Sequence, residues 1–337
     1  MGMKEYKWIS APIKVNETWI KNRIVVPPMA DFGMTGKDGC VNARHLQHYG
    51  AFAEGGAGLI IIEACVVSQM NEPRNTLRIY DDKYIPGFES LAKIAKKNDS
   101  VCIVQLLNNG LECMRENRIA DISRKDFLNY KEDFISAAVR CKAAGFDGVE
   151  LHAAHGFYLN QVIETSMRDD EYGGGFDNRV RLIQELIAGI KEKCGNSFLV
   201  AVRFGSCDYG KLVKIAAAVQ DAGGDILDVS TGAYDYREAP EDFPYDRKLY
   251  AASLVKKNAG IPVIGVGGIQ IGEQAESVLK KGIADLVAVG RGHLCCPDWT
   301  DRTMSGKSIE KCCNCRTCMW YIDGRKCPAV RKRSMCI

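Results

Sequence analysis

Glycine and arginine residues follow two apolar runs of the sequence, at positions where buried strands would end. Gly267 and Gly268 follow one run, and Gly290 and Arg291 follow the next. Backbone N–H groups in such turns can face an anion, and an adjacent arginine adds a charge-assisted, bidentate contact. A single glycine pair is equally typical of a tight turn, so the interpretation depends on both pairs following consecutive runs. Together they predict a phosphate site.

Four further polar side chains sit at the ends of other apolar runs. Gln105 and Arg203 carry donors that hydrogen-bond a flat ring rich in heteroatoms. His152 and His155 are three residues apart and follow another run. A metal site would need a third ligand beside them, and the nearby sequence offers no carboxylate pattern for one. A purely structural role at a strand end is the alternative for the two histidines.

The elements that must position these residues alternate between short apolar runs and longer amphipathic segments. Eight runs predict strands at 24–26, 59–62, 101–106, 148–151, 199–204, 226–229, 263–266 and 286–289. Helices are predicted at 85–97, 125–144, 178–194, 211–222, 247–258 and 272–281, and three of them end at Gly145, Gly223 and Gly282. This α/β pattern favours a single (β/α)₈ TIM barrel, with an open doubly wound sheet as the rival. In such a barrel the chemistry lies on the loops after the strands.

Composition limits the function classes. The 337 residues are 46% hydrophobic and 26% charged, with a formal net charge of +3, as in an ordinary globular protein. That charge does not indicate nucleic acid or an anionic membrane as the partner. No apolar run approaches the roughly 20 residues of a spanning helix, and the first residues lack a signal-peptide pattern. We therefore expect a cytoplasmic protein, with a barrel domain over 1–306 and a separate basic, cysteine-rich tail over 307–337.

The ordered motifs of the chain resemble the Old Yellow Enzyme family of FMN-dependent ene reductases. They are IKNRIVVPPM (20–29), GLIIIEA (58–64), AGFDGVELHAAHG (144–156), RDDEYGG (168–174) and DLVAVGR (285–291). Within the family the sequence is most similar to the barrel half of 2,4-dienoyl-CoA reductases and their relatives from anaerobes. The second half of those enzymes, which carries FAD and NAD(P)H sites, has no counterpart among the 337 residues. The resemblance therefore implies that NADH or NADPH, or a separate electron-donor protein, reduces the flavin directly.

The resemblance also assigns roles to individual residues. It implies that Pro27, Pro28, Met29 and Ala30 line one side of the flavin, that Ala64, Gln105 and Arg203 meet its ring or ribityl chain, and that Gly267, Gly268, Gly290 and Arg291 hold its phosphate. His152 and His155 match the pair of donors that polarises the carbonyl of a conjugated substrate. Donors already aimed at an oxygen that gains negative charge stabilise that charge most in a water-poor site.

Three departures from the family pattern bear on the substrate. Phe157 occupies the position of the usual proton-donating tyrosine, and Tyr158 replaces it only if the backbone shifts. The segments 161–168 and 108–123 are shorter than usual and overhang the flavin. A wider pocket follows, which favours a small molecule with a bulky conjugated system: a steroid enone, a flavonoid or a linear tetrapyrrole. Short members of the family that reduce bilirubin would fit this description.

The tail contains six of the fifteen cysteines. Cys312, Cys315, Cys318 and Cys327 resemble the iron-sulfur segment of the dienoyl-CoA reductase group, although the spacing between the second and third ligands is one residue shorter. A [4Fe-4S] cluster, a zinc ion on the same thiolates and a tail without metal are the three interpretations. A cluster would carry single electrons from a separate donor protein to FMN.

Two other functions stay open from the sequence. Because Phe157 cannot donate a proton, the chain is alternatively a flavoprotein electron-transfer subunit without alkene reductase activity. Hydride transfer at flavin is reversible, so a redox-neutral double-bond isomerase is a further alternative. The sequence does not choose between NADH and NADPH, and it sets no oligomeric state.

Overall fold

A computed structural model describes residues 6–69, 75–108, 118–165, 167–206, 208–232 and 239–334. A short antiparallel hairpin, β1 (Ile13–Val15) and β2 (Thr18–Ile20), precedes the barrel. The barrel strands are β3 (Ile24–Val26), β4 (Leu59–Val66), β5 (Val101–Leu107), β6 (Gly148–Ala153), β7 (Leu199–Phe204), β8 (Ile226–Val229), β9 (Val263–Val266) and β10 (Leu286–Ala288). They are parallel and close in the order β10-β3-β4-β5-β6-β7-β8-β9, which confirms the predicted (β/α)₈ barrel.

Side chains that face the barrel interior change character along the strands. Near the amino ends they form an apolar cluster that includes Leu59, Ile103 and Ile226. Two residues further along, the inward positions turn polar, with Gln105 after Ile103 and Asp228 after Ile226. The hairpin also contributes side chains to the apolar cluster, so the amino-terminal end of the barrel is filled. The open end is therefore the carboxyl end, where strand-end residues meet.

Helices surround the barrel on its outer face. They are α1 (Lys7–Ser10), α2 (Ala43–Glu54), α3 (Ile85–Ala95), α4 (Arg124–Ala143), α5 (Tyr158–Glu164), α6 (Phe176–Cys194), α7 (Tyr209–Asp221), α8 (Arg247–Asn258), α9 (Gly272–Lys280), α10 (Gly290–Cys295), α11 (Trp299–Met304) and α12 (Pro328–Ser334). The six predicted helices are present within two residues at each end. Gly145, Gly223 and Gly282 follow their helices with positive φ, as predicted for left-handed caps.

Several short elements were not predicted. The hairpin strands and α1 are too short to give a periodic pattern, and α2 has a glycine and two histidines among its twelve residues. Helix α2 is specified by its start, where the Asn42 side chain accepts a hydrogen bond from the Arg44 N–H. Within the described ranges, no helix is long and apolar enough to cross a membrane.

The cysteine-rich tail packs on the barrel. Trp320 is 6% exposed and belongs to the main hydrophobic core, with its ring centroid 5.3 Å from that of His48. The Gly324 N–H donates to the Asp31 carboxylate at 2.9 Å, and the Phe32 N–H donates to the Tyr321 carbonyl at 3.3 Å. The segment 318–324 is therefore fixed to the loop that follows β3, and we call it the tail latch. A separate tail domain over 307–337 stays a prediction, although these contacts join the tail to the barrel core.

Candidate functional site

A cavity of about 960 Å³ opens at the carboxyl end of the barrel. Nine of the fourteen residues predicted to bind FMN or to act in catalysis line it: Pro27, Pro28, Met29, His155, Arg203, Gly267, Gly268, Gly290 and Arg291. Its volume lies near the upper end of the range for ligand pockets, about 300–1,000 Å³. Five predicted residues are not part of its lining: Ala30, Ala64, Gln105, His152 and Tyr158. The structure thus brings the predicted phosphate residues and one histidine of the pair to one cavity.

A layer of polar side chains lies at the inner edge of this cavity. The Gln105 Nε2 donates to the Glu150 Oε1 at 2.7 Å, between adjacent strands. The Arg203 guanidinium lies 3.3 Å from the Asp228 carboxylate, and its Nη2 donates to the Ser230 Oγ at 3.1 Å. Arg203 Nε makes no hydrogen bond within the described residues. A buried N–H donor at a cavity wall suits a ring with acceptor heteroatoms, as a flavin has.

His152 and His155 lie next to each other with perpendicular rings, whose centroids are 5.1 Å apart. His155 has a φ of +63°, and this left-handed conformation turns the chain so that both rings stay together. The His155 Nε2 lies 2.9 Å from the Ser230 Oγ, and the His152 Nδ1 is buried without a hydrogen bond to any described residue. The pair therefore has hydrogen-bonding capacity left for a ligand.

Burial keeps both imidazoles neutral. It lowers the pKa of His152 well below its ordinary value, with added effects from His155 and Arg203. It lowers the pKa of His155 to about 3, with added effects from Arg203 and Lys248. A hydrogen bond to the Ser230 backbone partly opposes this lowering. A neutral imidazole carries one N–H donor and one acceptor nitrogen, so each histidine can offer a ligand either a donor or an acceptor.

The predicted phosphate end of the cavity combines glycine turns with one arginine. Gly268 has a φ of +62°, a conformation that side chains rarely adopt. A Cβ at Gly290 would lie 3.3 Å from the Met29 Sδ, so the glycine keeps this wall open. The Arg291 side chain is exposed and donates to the Asn314 side chain of the tail at 3.1 Å. The region fits an anion beside glycine backbone, with a mobile cation at its edge.

Tyr158 does not lie in the cavity. Its side chain is 1% exposed, and its ring packs 5.4 Å from Tyr130 and 5.9 Å from Phe127. Phe157, the residue before it, points the other way, with its ring 4.8 Å from His152. This placement gives no support to Tyr158 as a proton donor, because consecutive residues at the start of α5 face different directions.

Two of the four predicted metal ligands of the tail, Cys312 and Cys327, lie beside Cys295, a cysteine that the sequence analysis did not single out. Burial, together with these two neighbours, raises the pKa of the Cys295 thiol. Of the other two ligands, Cys318 lines the cavity and Cys315 is exposed to solvent. Among the residues that the structure describes, no group of three or more His, Cys, Asp or Glu side chains could hold a metal ion. The iron-sulfur and zinc interpretations therefore stay predictions.

Two of the sequence predictions concern segments that are only partly described. Residues 109–117, the larger part of the shortened loop 108–123, are not described, and neither is residue 166 of the second shortened segment. The lengths of these two segments therefore do not test the prediction of a wide pocket. The volume of the cavity that the described residues enclose is the observation that bears on it.

Glu150, Asp228, Ser230, Lys248 and Tyr321 belong to the site but were not predicted. Glu150 and Asp228 were hidden inside runs that read as apolar strands. The alternation of side chains along a strand could have found these two acids. Each lies two residues after a position that faces the barrel interior, so it faces the interior as well. Lys248 and Tyr321 line the cavity from α8 and from the tail latch, and their approach depends on long-range packing.

Glu63, on β4, is a further buried carboxyl group and lies behind the loop that follows β3. Burial raises the pKa of Glu63 to about 8, and the Tyr49 hydroxyl accepts a hydrogen bond from its backbone N–H at 2.8 Å. His45 lies 3.9 Å away, but burial lowers its pKa to about 4. Near neutral pH both groups are uncharged, so this contact is not an ion pair.

Glu63 makes the stability of the protein depend on pH. Between its ordinary pKa of 4.5 and about 8, the folded state holds a proton that the unfolded state has released. Stability is therefore expected to fall as pH rises through this window. The Glu63→Gln variant should lack this slope and melt higher than wild type at pH 8.5, with a smaller difference at pH 5, in thermal unfolding curves. The exposed Glu54→Gln is the matched control, and equal slopes in wild type and Glu63→Gln would contradict the assignment.

Sequence comparisons relate this chain to known flavin oxidoreductases. The sequence profile of the NADH:flavin oxidoreductase / NADH oxidase family matches residues 9–123 and 117–310. The NADH oxidase of Thermoanaerobacter brockii is 34% identical over 95% of this chain and 54% of its own length, so this chain spans about half of that relative. The NADPH dehydrogenase of Bacillus licheniformis is 33% identical, covering 86% of this chain and 91% of that protein.

The barrel fold also occurs in a solved structure. The Old Yellow Enzyme homologue from Zymomonas mobilis superposes with a TM-score of 0.77 at 20% identity, covering 94% of this chain and 96% of the other. The free Arg203 donor, the glycine turns and the cavity volume fit the ring and phosphate of FMN. The chain belongs to the NADH:flavin oxidoreductase / NADH oxidase family, the FMN-dependent NAD(P)H oxidoreductases of the Old Yellow Enzyme type.

Proposed function

We propose that this protein is an FMN-dependent ene reductase that reduces an activated C=C bond in a bulky conjugated substrate. The observation that carries the proposal is the pair of neutral histidines, of which His155 lines the cavity and His152 packs beside it with an unused buried ring nitrogen. An enone gains negative charge on its carbonyl oxygen as hydride adds to the β-carbon. Preorganised N–H donors that meet this oxygen lower the barrier to the reaction.

Each residue then has a role toward cofactor or substrate. FMN, reduced by NADH or NADPH, supplies the hydride. Arg203 donates to the flavin ring from the cavity wall, while Gly267, Gly268, Gly290 and Arg291 hold the phosphate. His155, aligned through Ser230, and His152 orient the substrate by its carbonyl oxygen. Since Tyr158 is buried in the core, the proton for the α-carbon comes from water or from a hydroxyl of the cavity wall.

The size of the cavity supports a bulky substrate. Its volume of about 960 Å³ exceeds the needs of a small enoate beside a flavin. Phe157 and Tyr321 offer aromatic faces near the histidines and at the cavity wall. Extended conjugated molecules, such as a steroid enone, a flavonoid or a linear tetrapyrrole like bilirubin, present flat apolar surfaces to such groups. We propose these classes as the substrates.

The test is a half-reaction in the absence of oxygen. FMN-loaded protein is reduced with NADH or NADPH and then mixed with steroid enones, flavonoids, bilirubin or small enoates. Reoxidation by a bulky conjugated compound, with formation of its reduced product, is the expected result. Reoxidation by small enoates alone would contradict the substrate class. Reoxidation only by artificial acceptors or electron-transfer proteins would replace the proposal with the electron-carrier function.

Arg291 is expected to contribute to cofactor affinity through charge. Its guanidinium is exposed and donates a hydrogen bond to the Asn314 side chain. The Arg291→Gln variant should weaken FMN binding by about ten- to a hundredfold, as expected for a lost hydrogen bond to a charged group. Flavin fluorescence quenching at low and high salt measures this. Salt should weaken FMN binding in wild type more than in the variant, and equal affinities would contradict a phosphate role.

A further inference from the structure

Two carboxyl groups are buried together beneath the cavity, and Arg203 is the one cation that the described residues place beside them. Glu150 on β6 and Asp228 on β8 are both 0% exposed. Arg203 on the intervening strand lies 3.3 Å from the Asp228 carboxylate, and the charged pair lacks hydrogen-bond geometry. If both carboxyl groups were ionised, the layer would hold two negative charges and one positive charge away from water. Such an unbalanced buried charge is strongly unfavourable.

The hydrogen bonds of the layer show where a proton is missing. Glu150 Oε1 accepts from the Gln105 amide, but its Oε2 and both Asp228 oxygens have no donor among the described residues. The two carboxyl groups contact each other within hydrogen-bonding reach. Two carboxylates cannot hydrogen-bond, because each offers only acceptors. One proton between them supplies the missing donor and leaves the layer electrically neutral.

We propose that Glu150 is a neutral carboxylic acid that donates its proton to Asp228, and that this bond fixes Asp228 and thereby Arg203 toward the flavin ring. Glu150 is thus a positioning residue, acting through Asp228 and Arg203. The inference rests on the flavin site of the proposed function, but not on the alkene substrate.

The electrostatics place the proton on Glu150 rather than on Asp228. Burial raises the pKa of Glu150 well above its ordinary value, and the neighbouring Asp228 charge raises it further, by more than Arg203 lowers it. Burial also raises the pKa of Asp228, but Arg203 and the contact with Glu150 both lower it. The other groups facing the layer are Gln105, which is neutral, and the two histidines, which burial keeps unprotonated, with an added effect from Arg203.

Infrared spectroscopy of the full-length protein without substrate tests the proton directly. A protonated carboxylic acid has a carbonyl band distinct from that of a carboxylate. In a Glu63→Gln background, which removes the other buried glutamate of the described residues, this band should persist at pH 9. It should shift when glutamate carboxyl groups carry ¹³C and should not shift with ¹³C-labelled aspartate. Absence of the band, or a shift only with labelled aspartate, would overturn the proposal.

Variants then test the positioning role. Glu150→Gln mimics the neutral acid in shape and donor, so FMN affinity should stay within about threefold of wild type while the infrared band disappears. The double variant Glu150→Gln, Asp228→Asn leaves Arg203 without an anion, and FMN affinity should fall at least about tenfold. Equal FMN affinity in the single and double variants would contradict the positioning role. The labelled spectrum in the Glu63→Gln background decides the protonation state even if a variant at Glu150 or Asp228 fails to fold.

Discussion

Replacing His155 with alanine is expected to slow reoxidation of the reduced flavin by an enone by about 10²–10³-fold, the usual effect of removing one donor to a developing oxyanion. Reduction of FMN by NADH or NADPH should change little, because His155 is proposed to meet the substrate and not the nicotinamide. Stopped-flow absorbance of the flavin separates the two half-reactions. A uniform slowing of both would contradict the assignment.

His155→Asn is the matched control for this variant. Asparagine tolerates the φ of +63° found here and keeps an N–H donor near Ser230. It should therefore retain more activity than alanine. Since burial holds the pKa of His155 at about 3, the enone half-reaction should not titrate with this residue between pH 6 and 8. A rate that changed with a histidine-like pKa in this range, and lost that change in His155→Asn, would show that the imidazole is charged.

Trp320→Ala is expected to destabilise the protein by about 3–5 kcal/mol, the usual cost of truncating a buried tryptophan. For a chain of this length that corresponds to a melting temperature roughly 4–7 °C lower. The exposed Trp19, at 62%, is the matched control, and Trp19→Ala should change stability by less than about 0.5 kcal/mol. Thermal unfolding of both variants without FMN measures the difference.

The same variant reports on the cavity. Trp320 anchors Cys318 and Tyr321, which line the cavity, so its removal should also weaken FMN binding. Added FMN should then raise the melting temperature of Trp320→Ala less than that of wild type. An unchanged FMN affinity would mean that the tail latch packs on the barrel without shaping the flavin site.

The barrel could be predicted from sequence because each strand is buried on both faces. Runs such as 59–62 therefore read as continuously apolar, and glycines such as Gly223 mark the ends of the helices between the strands. The predicted phosphate residues were brought together for the same reason, since strand ends of a barrel meet at one rim. In the barrel strands and helices, the local hydrophobic pattern therefore predicts the same structure that tertiary packing produces.

The missed parts depend on contacts that local pattern does not carry. Glu150 sits in an apolar run, and only its distance from Gly148 and His152 along the strand shows that it faces inward. Tyr158 looked like a substitute for the missing tyrosine, but a helix start turned its ring into the core. Tyr321 reaches the cavity because Trp320 fills a space in the core, which depends on three-dimensional packing.

The contact between Asp31 and Gly324 also sets an order of events during synthesis. These residues are 293 positions apart, and the pairing of Ile24 with Val287 closes the barrel over a similar distance. A growing chain therefore exposes the edge of β3 until β10 has been synthesised. Contacts of such long range are slow to form, and exposed strand edges promote aggregation. Cofactor loading must accordingly follow the synthesis of β10, and the unclosed barrel is the stage at which aggregation competes with folding.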